Sequence, residues 1–414
     1  MMRMGVPVAT PIRASDCVAA AAAALSRYGH REEFENQVRD LLGGDHVRSL
    51  NSGRTALLVV LQAMKHPGGR DEVVLPAYAC PSIGRAVVKA GLKPVLCDVG
   101  PNGSGLDLPS LVSALNRRTL AVVAAHLYGY PCEMAPILER THDAGARLIE
   151  DAAQAFGARW NGSYVGTFGD AGIFSFGMSK VLWSIAGGLA VTSSPDLARR
   201  IDRQVSVLAS VGRWNEAVGV AKLGVLGFLV RRRHLKPLDV VWGNMLRGKN
   251  DCDEFDACVG PSSYAAVAKR LLGRISEITG IRRQNAHYLA THLADFDDII
   301  LPEISAGSEP VFLRFPVIAG SGQLRGELVS RVRAAGINAS EMYSKKSYEA
   351  LRAFAARDSY CPQAEYLSDR MLNLPTHSFL RQSDLDRIVT AFRSVLVRRR
   401  ISAVASTTRS AVRA

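Results

Sequence analysis

An acid, a hydroxyl and a lysine follow one another between positions 151 and 180, in two short segments joined by a glycine-containing loop. The segments are IEDAAQAFGA (Ile149–Ala158) and IFSFGMSK (Ile173–Lys180), and they supply Asp151, Ser175 and Lys180. This set matches what pyridoxal phosphate requires, because a carboxylate pairs with the pyridinium nitrogen, a hydroxyl meets the phosphate and a lysine forms the Schiff base. We therefore expect pyridoxal 5'-phosphate as the cofactor.

The acid is one of two adjacent carboxylates. Glu150 and Asp151 point to opposite faces if both lie on a strand, so only one of them can enter the site. We choose Asp151, at the strand end, where a protonated pyridine nitrogen would offset the cost of burying a carboxylate. Gln154 follows three residues later and could reach the ring hydroxyl. The alternative for Asp151 is a helix-capping role at a strand-to-helix junction.

Lys180 lies in the largely apolar stretch MSKVLW. Apolar surroundings lower the pKa of an amine toward neutrality and make it nucleophilic. A lysine on a solvated loop is the alternative. Gly187 and Gly188 follow, where a sharp turn would leave room for a ring.

A second segment has the chemistry of a phosphate site. Ser52, Gly53 and Arg54 open a predicted helix, whose free backbone N–H groups and dipole favour an anion. Gly53 would let a phosphate approach the backbone closely. The alternative is an ordinary serine N-cap followed by a tolerated glycine. The hydroxyl of Ser175 and a lysine elsewhere in the chain favour the phosphate site.

The elements that must position these residues follow a strand–loop–helix pattern between about residues 50 and 195. Short apolar runs predict strands at Glu72–Leu75, Pro94–Asp98, Leu120–His126, Arg147–Glu150, Ala171–Phe176 and Leu189–Thr192. Helical spacing separates most of them, as in Gly53–Lys65, Ser82–Ala90, Leu108–Leu115 and Cys132–Asp143. This alternation predicts an α/β fold with a mostly parallel sheet and helices on both faces, in which ligands bind at the carboxyl ends of the strands.

The rest of the chain departs from that pattern. Residues 1–250 are expected to form the large cofactor-binding domain with an N-terminal helical segment, 251–396 a smaller α+β domain, and 397–414 a basic, disordered tail. The apolar stretch at 217–230 runs into a basic segment that ends at Lys236. Packing against a partner subunit is the favoured interpretation of Ala217–Lys236, and contact with an anionic membrane surface is the alternative.

Composition and charge limit the kinds of partner, metal site and cellular location that we expect. The net charge of +13 is concentrated at the end of the chain, since seven arginines and no acid follow Asp386. That distribution favours a solvated end, with an anionic surface as the alternative, and no nucleic-acid-binding motif accompanies it. The seven cysteines form no CxxC pair, so neither a disulfide framework nor a metal site is indicated. Without a secretory signal or an apolar stretch of spanning length, the protein is expected in the cytoplasm, peripheral attachment to the inner face of the membrane being the alternative.

These motifs resemble the DegT/DnrJ/EryC1/StrS sugar aminotransferase family, a branch of the fold-type I pyridoxal phosphate enzymes with an aspartate aminotransferase-like large domain. The resemblance extends from Phe34-Glu35 to about residue 392. The matching stretches are SGRTAL (Ser52–Leu57), DEVVLPAYACPS (Asp71–Ser82), HLYGYP (His126–Pro131), IEDAAQAFGA, GTFGDAGIFSFGMSK (Gly166–Lys180) and CPQAEYLSDRMLNLPTH (Cys361–His377).

The resemblance implies that Lys180 attaches the cofactor and that Asp151 is the pyridinium partner, with Gln154 near the ring hydroxyl. It implies that Ser175 and the Ser52–Arg54 backbone hold the phosphate. It also implies a homodimer with shared active sites, in which Asn244 or a neighbour reaches into the other subunit's site.

Two positions depart from the family pattern. Arg54 stands where the family commonly has threonine, and it could contact the phosphate or point to solvent. Cys80 stands where the family has an aromatic residue that stacks on the ring, and Tyr78 could substitute for it.

The resulting expectation is an aminotransferase that moves an amino group, from glutamate, to a keto-sugar linked to a nucleotide, for polysaccharide or secondary-metabolite biosynthesis. The small-molecule partners are thus an amino donor and a keto-sugar. Two alternatives stay open: a fold-type I scaffold that no longer turns over, and a membrane-surface enzyme acting on a lipid-linked precursor.

Overall fold

The structure is a computed structural model that describes residues 10–26, 29–43, 46–66, 69–103, 105–232 and 255–411. Its helices are α1 (Ala14–Ser26), α2 (His30–Leu42), α3 (Gly53–Met64), α4 (Ser82–Lys89), α5 (Leu108–Ala114), α6 (Met134–Asp143), α7 (Pro195–Ser206), α8 (Arg213–Arg232), α9 (Ser262–Leu272), α10 (Ile275–Leu293), α11 (Gly322–Ala334), α12 (Lys345–Arg352), α13 (Pro362–Arg370) and α14 (Gln382–Ala411). Its strands are β1 (His46–Leu50), β2 (Glu72–Pro76), β3 (Lys93–Cys97), β4 (Thr119–Ala125), β5 (Arg147–Asp151), β6 (Arg159–Trp160), β7 (Ser163–Tyr164), β8 (Ala171–Ser175), β9 (Gly188–Thr192), β10 (Ala209–Ser210), β11 (Cys258–Val259), β12 (Ile299–Ile300), β13 (Ser308–Glu309), β14 (Arg314–Ala319) and β15 (Met371–Pro375).

A nine-stranded sheet in the order β10-β11-β1-β9-β8-β5-β4-β2-β3 forms the centre of the large unit. Strands β3, β2, β4, β5 and β8 run parallel to one another. Next in the sheet, β9 runs antiparallel to β8, and β1 runs antiparallel to β9. Every residue of β4 is buried, as expected for a strand covered on both faces. The predicted α/β fold with a mostly parallel sheet is therefore confirmed.

The predicted strands lie within one residue of the observed ends, because continuous apolar runs bounded by turns mark buried strands clearly. β1, with the sequence HVRSL, was not predicted. Two of its polar side chains, His46 and Arg48, pair with Asp202 of α7 at the sheet's surface, and with Ser49 they interrupt the apolar run by which a strand is predicted.

A three-stranded antiparallel sheet, β12-β14-β15, forms the smaller unit together with α11 and α14. The predicted boundary at residue 250 lies too early in the chain. β11 pairs with β1 in the main sheet, and α9 packs on α1 and α2, so the large unit takes residues up to at least Leu272.

The end of the chain also differs from the expectation. α14 continues to Ala411, through most of the predicted disordered tail 397–414. The segment contains neither glycine nor proline after Asp386, so no residue in it breaks a helix. The apolar stretch 217–230 lies inside α8, whereas the 233–236 part of the predicted surface segment and Asn244 lie outside the described residues. No helix in the described ranges is long and apolar enough to span a bilayer.

A buried carboxylate joins the two units. Asp98 follows β3 and is 6% exposed. Its oxygens accept hydrogen bonds from the backbone N–H groups of Gln363 (2.9 Å) and Ala364 (2.8 Å), in the first turn of α13. These N–H groups have no partner within the helix, so a residue distant in sequence serves as the cap. This contact fixes the approach of the C-terminal elements to the main sheet.

Asp98→Ala should therefore lower the free energy of unfolding by about 1–3 kcal/mol and speed amide exchange at Gln363 and Ala364. The matched control is Asp107→Ala, because Asp107 caps only its own helix, α5, through Ser110 N–H. Urea unfolding and hydrogen exchange measure both effects. Equal exchange at Gln363 and Ala364 in the two variants would contradict a cap that spans the units.

Candidate active site

Two parallel strands bring Asp151 and Ser175 to the same edge of the main sheet. Asp151 is the last residue of β5 and Ser175 the last of β8, and these strands are neighbours with Asp151 opposite Ile173. Both side chains are half-buried. The Oδ1 of Asp151 accepts a hydrogen bond from Ala153 N–H at 3.0 Å. The sequence placed both residues correctly because strand ends are marked by the change from apolar to polar residues.

Glu150 points to the opposite face from Asp151, as the alternation of a strand requires. It is fully buried, and its oxygens accept hydrogen bonds from the N–H groups of Gly166, Phe168 and Gly169 at 2.6–2.7 Å. His126 Nε2 lies 3.0 Å from Glu150 Oε2. Since Nδ1 of the same ring accepts from a backbone N–H, the proton is on Nε2 and faces Glu150. Glu150 thus orders the glycine-rich loop and leaves Asp151 as the acid of the site.

Lys180 lies in a loop between β8 and β9 that the protein holds at several points. Its N–H donates to Gly177 O at 3.1 Å. Further along, Thr10 Oγ1 donates to Val181 O (2.9 Å) and accepts from Trp183 N–H (3.1 Å). Trp183 is 1% exposed, so its indole anchors the loop in the core. Lys180 itself is half-buried beside Asp151.

The electrostatics of Asp151 suit a cationic partner. Burial raises the pKa of the Asp151 carboxyl above its ordinary value, and the Lys180 ammonium and the Ala153 N–H only partly oppose this. A further positive charge at the carboxylate would stabilise the ionised form. A protonated pyridine nitrogen is a group of that kind.

The N-terminus of α3 packs directly against the end of β8. A Cβ on Gly53 would lie 2.9 Å from Ser175 Cβ, closer than side chains tolerate, so only glycine permits this approach. Gly188 does the same from β9, because a Cβ there would lie 2.4 Å from the Ser52 carbonyl carbon. Ser52 Oγ caps the helix by accepting from Thr55 N–H at 3.2 Å. Ser52 can therefore be both the helix N-cap and part of a phosphate site. The capped helix N-terminus and the Ser175 hydroxyl form one cradle suited to a phosphate.

Arg54 follows the cradle and turns toward Phe255. Its Cζ lies 5.1 Å from the centre of that ring, and its Nη1 is buried without a hydrogen-bond partner among the described residues. A buried N–H without an acceptor is costly, and an anion at the α3 N-terminus is a group that could satisfy it. The cradle thus fits a phosphate group on three counts: glycine contacts, a hydroxyl and an unsatisfied guanidinium nitrogen.

Gln154 is 5% exposed and connects the site to the smaller unit. Its Oε1 accepts from Tyr128 N–H (3.0 Å) and its Nε2 donates to Tyr343 Oη (2.7 Å). Sequence reasoning missed Tyr343, which follows Gln154 by nearly two hundred residues and lies in no local motif. Tyr128 lay within the HLYGYP stretch but was assigned no role.

Tyr78 and Cys80, the two candidates for stacking on a ring, occupy different settings. Tyr78 is 1% exposed, and its hydroxyl contacts Tyr128 Oη (2.9 Å) and accepts from Tyr343 N–H (2.9 Å). Its ring therefore presents no open face to a ligand, and the structure gives it a role in joining the units. Cys80 is half-buried, with Sγ 3.0 Å from Ser82 Oγ.

A lysine near a half-buried carboxylate, next to a glycine-lined anion cradle at the carboxyl edge of an α/β sheet, is the arrangement that the resemblance to fold-type I aminotransferases implies. The DegT/DnrJ/EryC1/StrS aminotransferase family matches residues 14–231 and 262–393. The chain belongs to this family and is an aminotransferase.

Characterised relatives resemble most of the chain. It is 31% identical to the UDP-N-acetyl-3-dehydro-alpha-D-glucosamine 3-aminotransferase of Acidithiobacillus ferrooxidans over 88% of each protein. It is 29% identical to the GDP-perosamine synthase of Caulobacter vibrioides over 88% of this chain and 90% of that protein. Among solved structures, DesV of S. venezuelae, in complex with a ketimine intermediate, has a TM-score of 0.75 and 26% identity, covering 92% of this chain and 94% of DesV.

The raised pKa of Asp151 predicts a pH-dependent effect of Asp151→Asn in the cofactor-free protein. A carboxyl whose pKa is higher in the folded than in the unfolded state lowers the free energy of unfolding once it ionises. The destabilising effect of Asp151 is therefore largest above its pKa in the folded state. We expect the variant to be at least as stable as wild type at neutral pH, with the difference shrinking as the pH falls through the raised pKa toward 3.8.

Thermal unfolding across this pH range measures the effect, and aminotransferase activity of the variant should fall by about 100-fold or more. Asp170→Asn is the control, because the pKa of Asp170 is lowered by its hydrogen bonds and its loss should destabilise most at neutral pH. A destabilised Asp151→Asn at neutral pH would contradict the assignment.

Proposed function

We propose that the protein is a pyridoxal-phosphate-dependent aminotransferase that moves an amino group from an amino acid donor, glutamate, to a keto-sugar linked to a nucleotide. The observation that carries the proposal is that Lys180 lies near enough to Asp151 for its charge to act on that carboxyl, at the same sheet edge as the cradle of Gly53 and Ser175. The nucleotide link is supported by the two characterised relatives, whose names contain UDP and GDP sugars.

The residues divide the chemistry among them. When bound, pyridoxal phosphate withdraws electrons from the carbon that bears the amino group. The negative charge of Asp151 would favour a protonated ring nitrogen, and the cradle together with Arg54 would hold the phosphate. Lys180 would be the general base and then the general acid, its amine moving a proton from the substrate carbon. Trp183 and the Thr10 contacts keep the loop of Lys180 in place.

A homodimer with shared active sites is part of the proposal, carried by the family resemblance. The smaller unit supplies Tyr343 from within the same chain. The contribution expected from Asn244 of a second copy lies outside the described residues.

Lys180→Ala should abolish the visible absorbance of the lysine-bound cofactor and lower turnover by about 100- to 10,000-fold. Wild type should lose that absorbance on adding glutamate and regain it on adding a keto-sugar nucleotide. Lys222→Ala, at an exposed lysine of α8, is the control and should behave as wild type. A wild-type protein that binds the cofactor but does not respond to any amino donor would favour the inactive-scaffold alternative.

A specific surface favours a second candidate, an enzyme that works on an anionic membrane. The packed helices α1 and α8 expose large apolar side chains: Val18 (69%), Leu25 (84%), Trp214 (78%), Val225 (55%) and Phe228 (56%). The exposed positions of these helices also include Arg213 and Lys222 but no acid, because Asp16 and Glu216 are buried. An apolar face with basic and no acidic neighbours is complementary to an anionic bilayer.

Trp214→Ser combined with Phe228→Ser should weaken binding to phosphatidylglycerol-containing vesicles by at least about 10-fold, since each ring removes buried apolar area. Tyr360→Ser is the control, because Tyr360 is 88% exposed on another part of the surface. Flotation at two salt concentrations measures binding, which should weaken at high salt. A wild type that does not float, and a double variant that turns from dimer to monomer, would identify the surface as a subunit interface.

A further inference from the structure

An arginine stands at the N-terminus of α3, where a positive charge is unfavourable for the helix. Ser52 is the N-cap of α3, so Arg54 is the second residue of its first turn. The free backbone N–H groups of that turn and the helix dipole repel a cation and favour an anion. Nη1 of Arg54 is also buried, with no hydrogen-bond partner among the described residues. An anion at this point would remove both unfavourable effects.

The ring of Phe255 holds the guanidinium of Arg54 in place. Arg54 Cζ lies 5.1 Å from the centre of that ring, within the range of a cation–π contact. Phe255 is 7% exposed and belongs to the same hydrophobic cluster as Leu57 and Leu58 of α3. A cation–π contact is stronger where water is excluded, and it stabilises a cation without neutralising it. Arg54 is therefore held with its full charge.

Phe255 is itself fixed by α4. Lys89 Nζ donates a hydrogen bond to Phe255 O at 2.6 Å and lies 4.9 Å from the centre of the Phe255 ring. One ring is thus shared by two cations, Arg54 from α3 and Lys89 from α4. Because like charges repel, this arrangement is less costly when an anion lies nearby.

Residues 255–259, called here the Phe255 segment, are bound to the residue before the α3 cap. Asn51 Nδ2 donates to Asp256 O at 2.8 Å, and Asn51 N–H donates to Cys258 O at 3.1 Å. These bonds connect two points of the segment to the start of α3. The position of the Phe255 ring therefore depends on the same contacts that hold the phosphate cradle.

We infer that Phe255 is a positioning residue for phosphate binding: its ring holds Arg54 at the cradle, where Nη1 donates a hydrogen bond to a phosphate oxygen. This inference rests on the proposed function, since the phosphate is that of pyridoxal 5'-phosphate. A guanidinium that is held in place before the anion arrives loses less conformational entropy on binding. The diphosphate of a sugar nucleotide is the other source of phosphate oxygens for this enzyme, and a separate measurement distinguishes it.

Calorimetry with inorganic phosphate and the cofactor-free protein gives a readout that needs no turnover. Phe255→Leu keeps an apolar side chain but removes the ring, and should raise the Kd of phosphate about 3- to 30-fold. Phe255→Tyr should stay within about 3-fold of wild type, because a tyrosine ring also attracts a cation. Phe354→Leu is the matched control, since Arg85 Cζ lies 5.0 Å from the centre of the Phe354 ring. This control removes a similar contact on α4 and should keep the wild-type Kd.

A double variant tests whether Phe255 acts through Arg54. Arg54→Met alone should raise the Kd of phosphate about 10- to 100-fold, because it removes a charged hydrogen-bond donor. Adding Phe255→Leu to Arg54→Met should change the Kd no further, since the ring then has no guanidinium to hold. Independent effects of the two residues would instead multiply.

Two forms of the cofactor separate positioning from general damage to the site. Pyridoxal lacks the phosphate of pyridoxal 5'-phosphate, and titration followed by visible absorbance measures the binding of each. Phe255→Leu should raise the Kd of pyridoxal 5'-phosphate about 3- to 30-fold and leave that of pyridoxal unchanged. A merely structural role of Phe255 would weaken the binding of both.

The outcomes distinguish this inference from the proposed function. Equal phosphate affinity in wild type and Phe255→Leu, or multiplied effects in the double variant, would overturn the inference. A loss confined to uridine diphosphate, measured on the cofactor-loaded protein, would also overturn it and assign Arg54 to the substrate. A wild type that binds phosphate and cofactor but responds to no amino donor would overturn the proposed function alone. If Phe255→Leu does not fold, Phe255→Met takes its place, and unchanged phosphate affinity in that variant overturns the inference equally.

Discussion

The buried carboxylate of Glu150 is the interaction on which the site depends. It accepts three backbone hydrogen bonds from the loop at 166–169 and faces the proton on His126 Nε2. Because the loop precedes β8, these bonds hold β8 beside β5 and bring Ser175 next to Asp151. A buried anion with several donors is stable only in one arrangement, so the cost of its desolvation fixes the register of the strands that carry the chemistry.

Close backbone contacts and the smaller unit position the remaining residues of the site. Gly53 and Gly188 let α3 and β9 approach the end of β8, which forms the phosphate cradle without any charged side chain from the sheet. Asp98 attaches α13 to the main sheet, and the hydroxyl network of Tyr78, Tyr128 and Tyr343 connects the smaller unit to Gln154. The smaller unit is thus held from two sides, which places Tyr343 at the candidate active site.

The sequence predicts the parallel strands and the ends where Asp151 and Ser175 lie, since buried strands are apolar runs with polar residues at their ends. It does not predict β1, whose alternate residues pair with Asp202 at the surface, nor the large-unit position of β11 and α9. Tyr343 is not predicted either, because it reaches the site only through the packing of distant segments. The predicted stacking role of Tyr78 ignores its burial, which depends on contacts with residues 128 and 343.

The proposed chemistry requires that Lys180, close to Asp151, attaches the cofactor. Borohydride reduction of the protein loaded with pyridoxal phosphate, followed by digestion and mass spectrometry, tests it most directly, because reduction makes the lysine–cofactor bond permanent. We expect one modified peptide, carrying the phosphopyridoxyl group on Lys180, and its disappearance when excess glutamate is added before reduction. Modification of another lysine in preference to Lys180, or no modification at saturating cofactor, would contradict it.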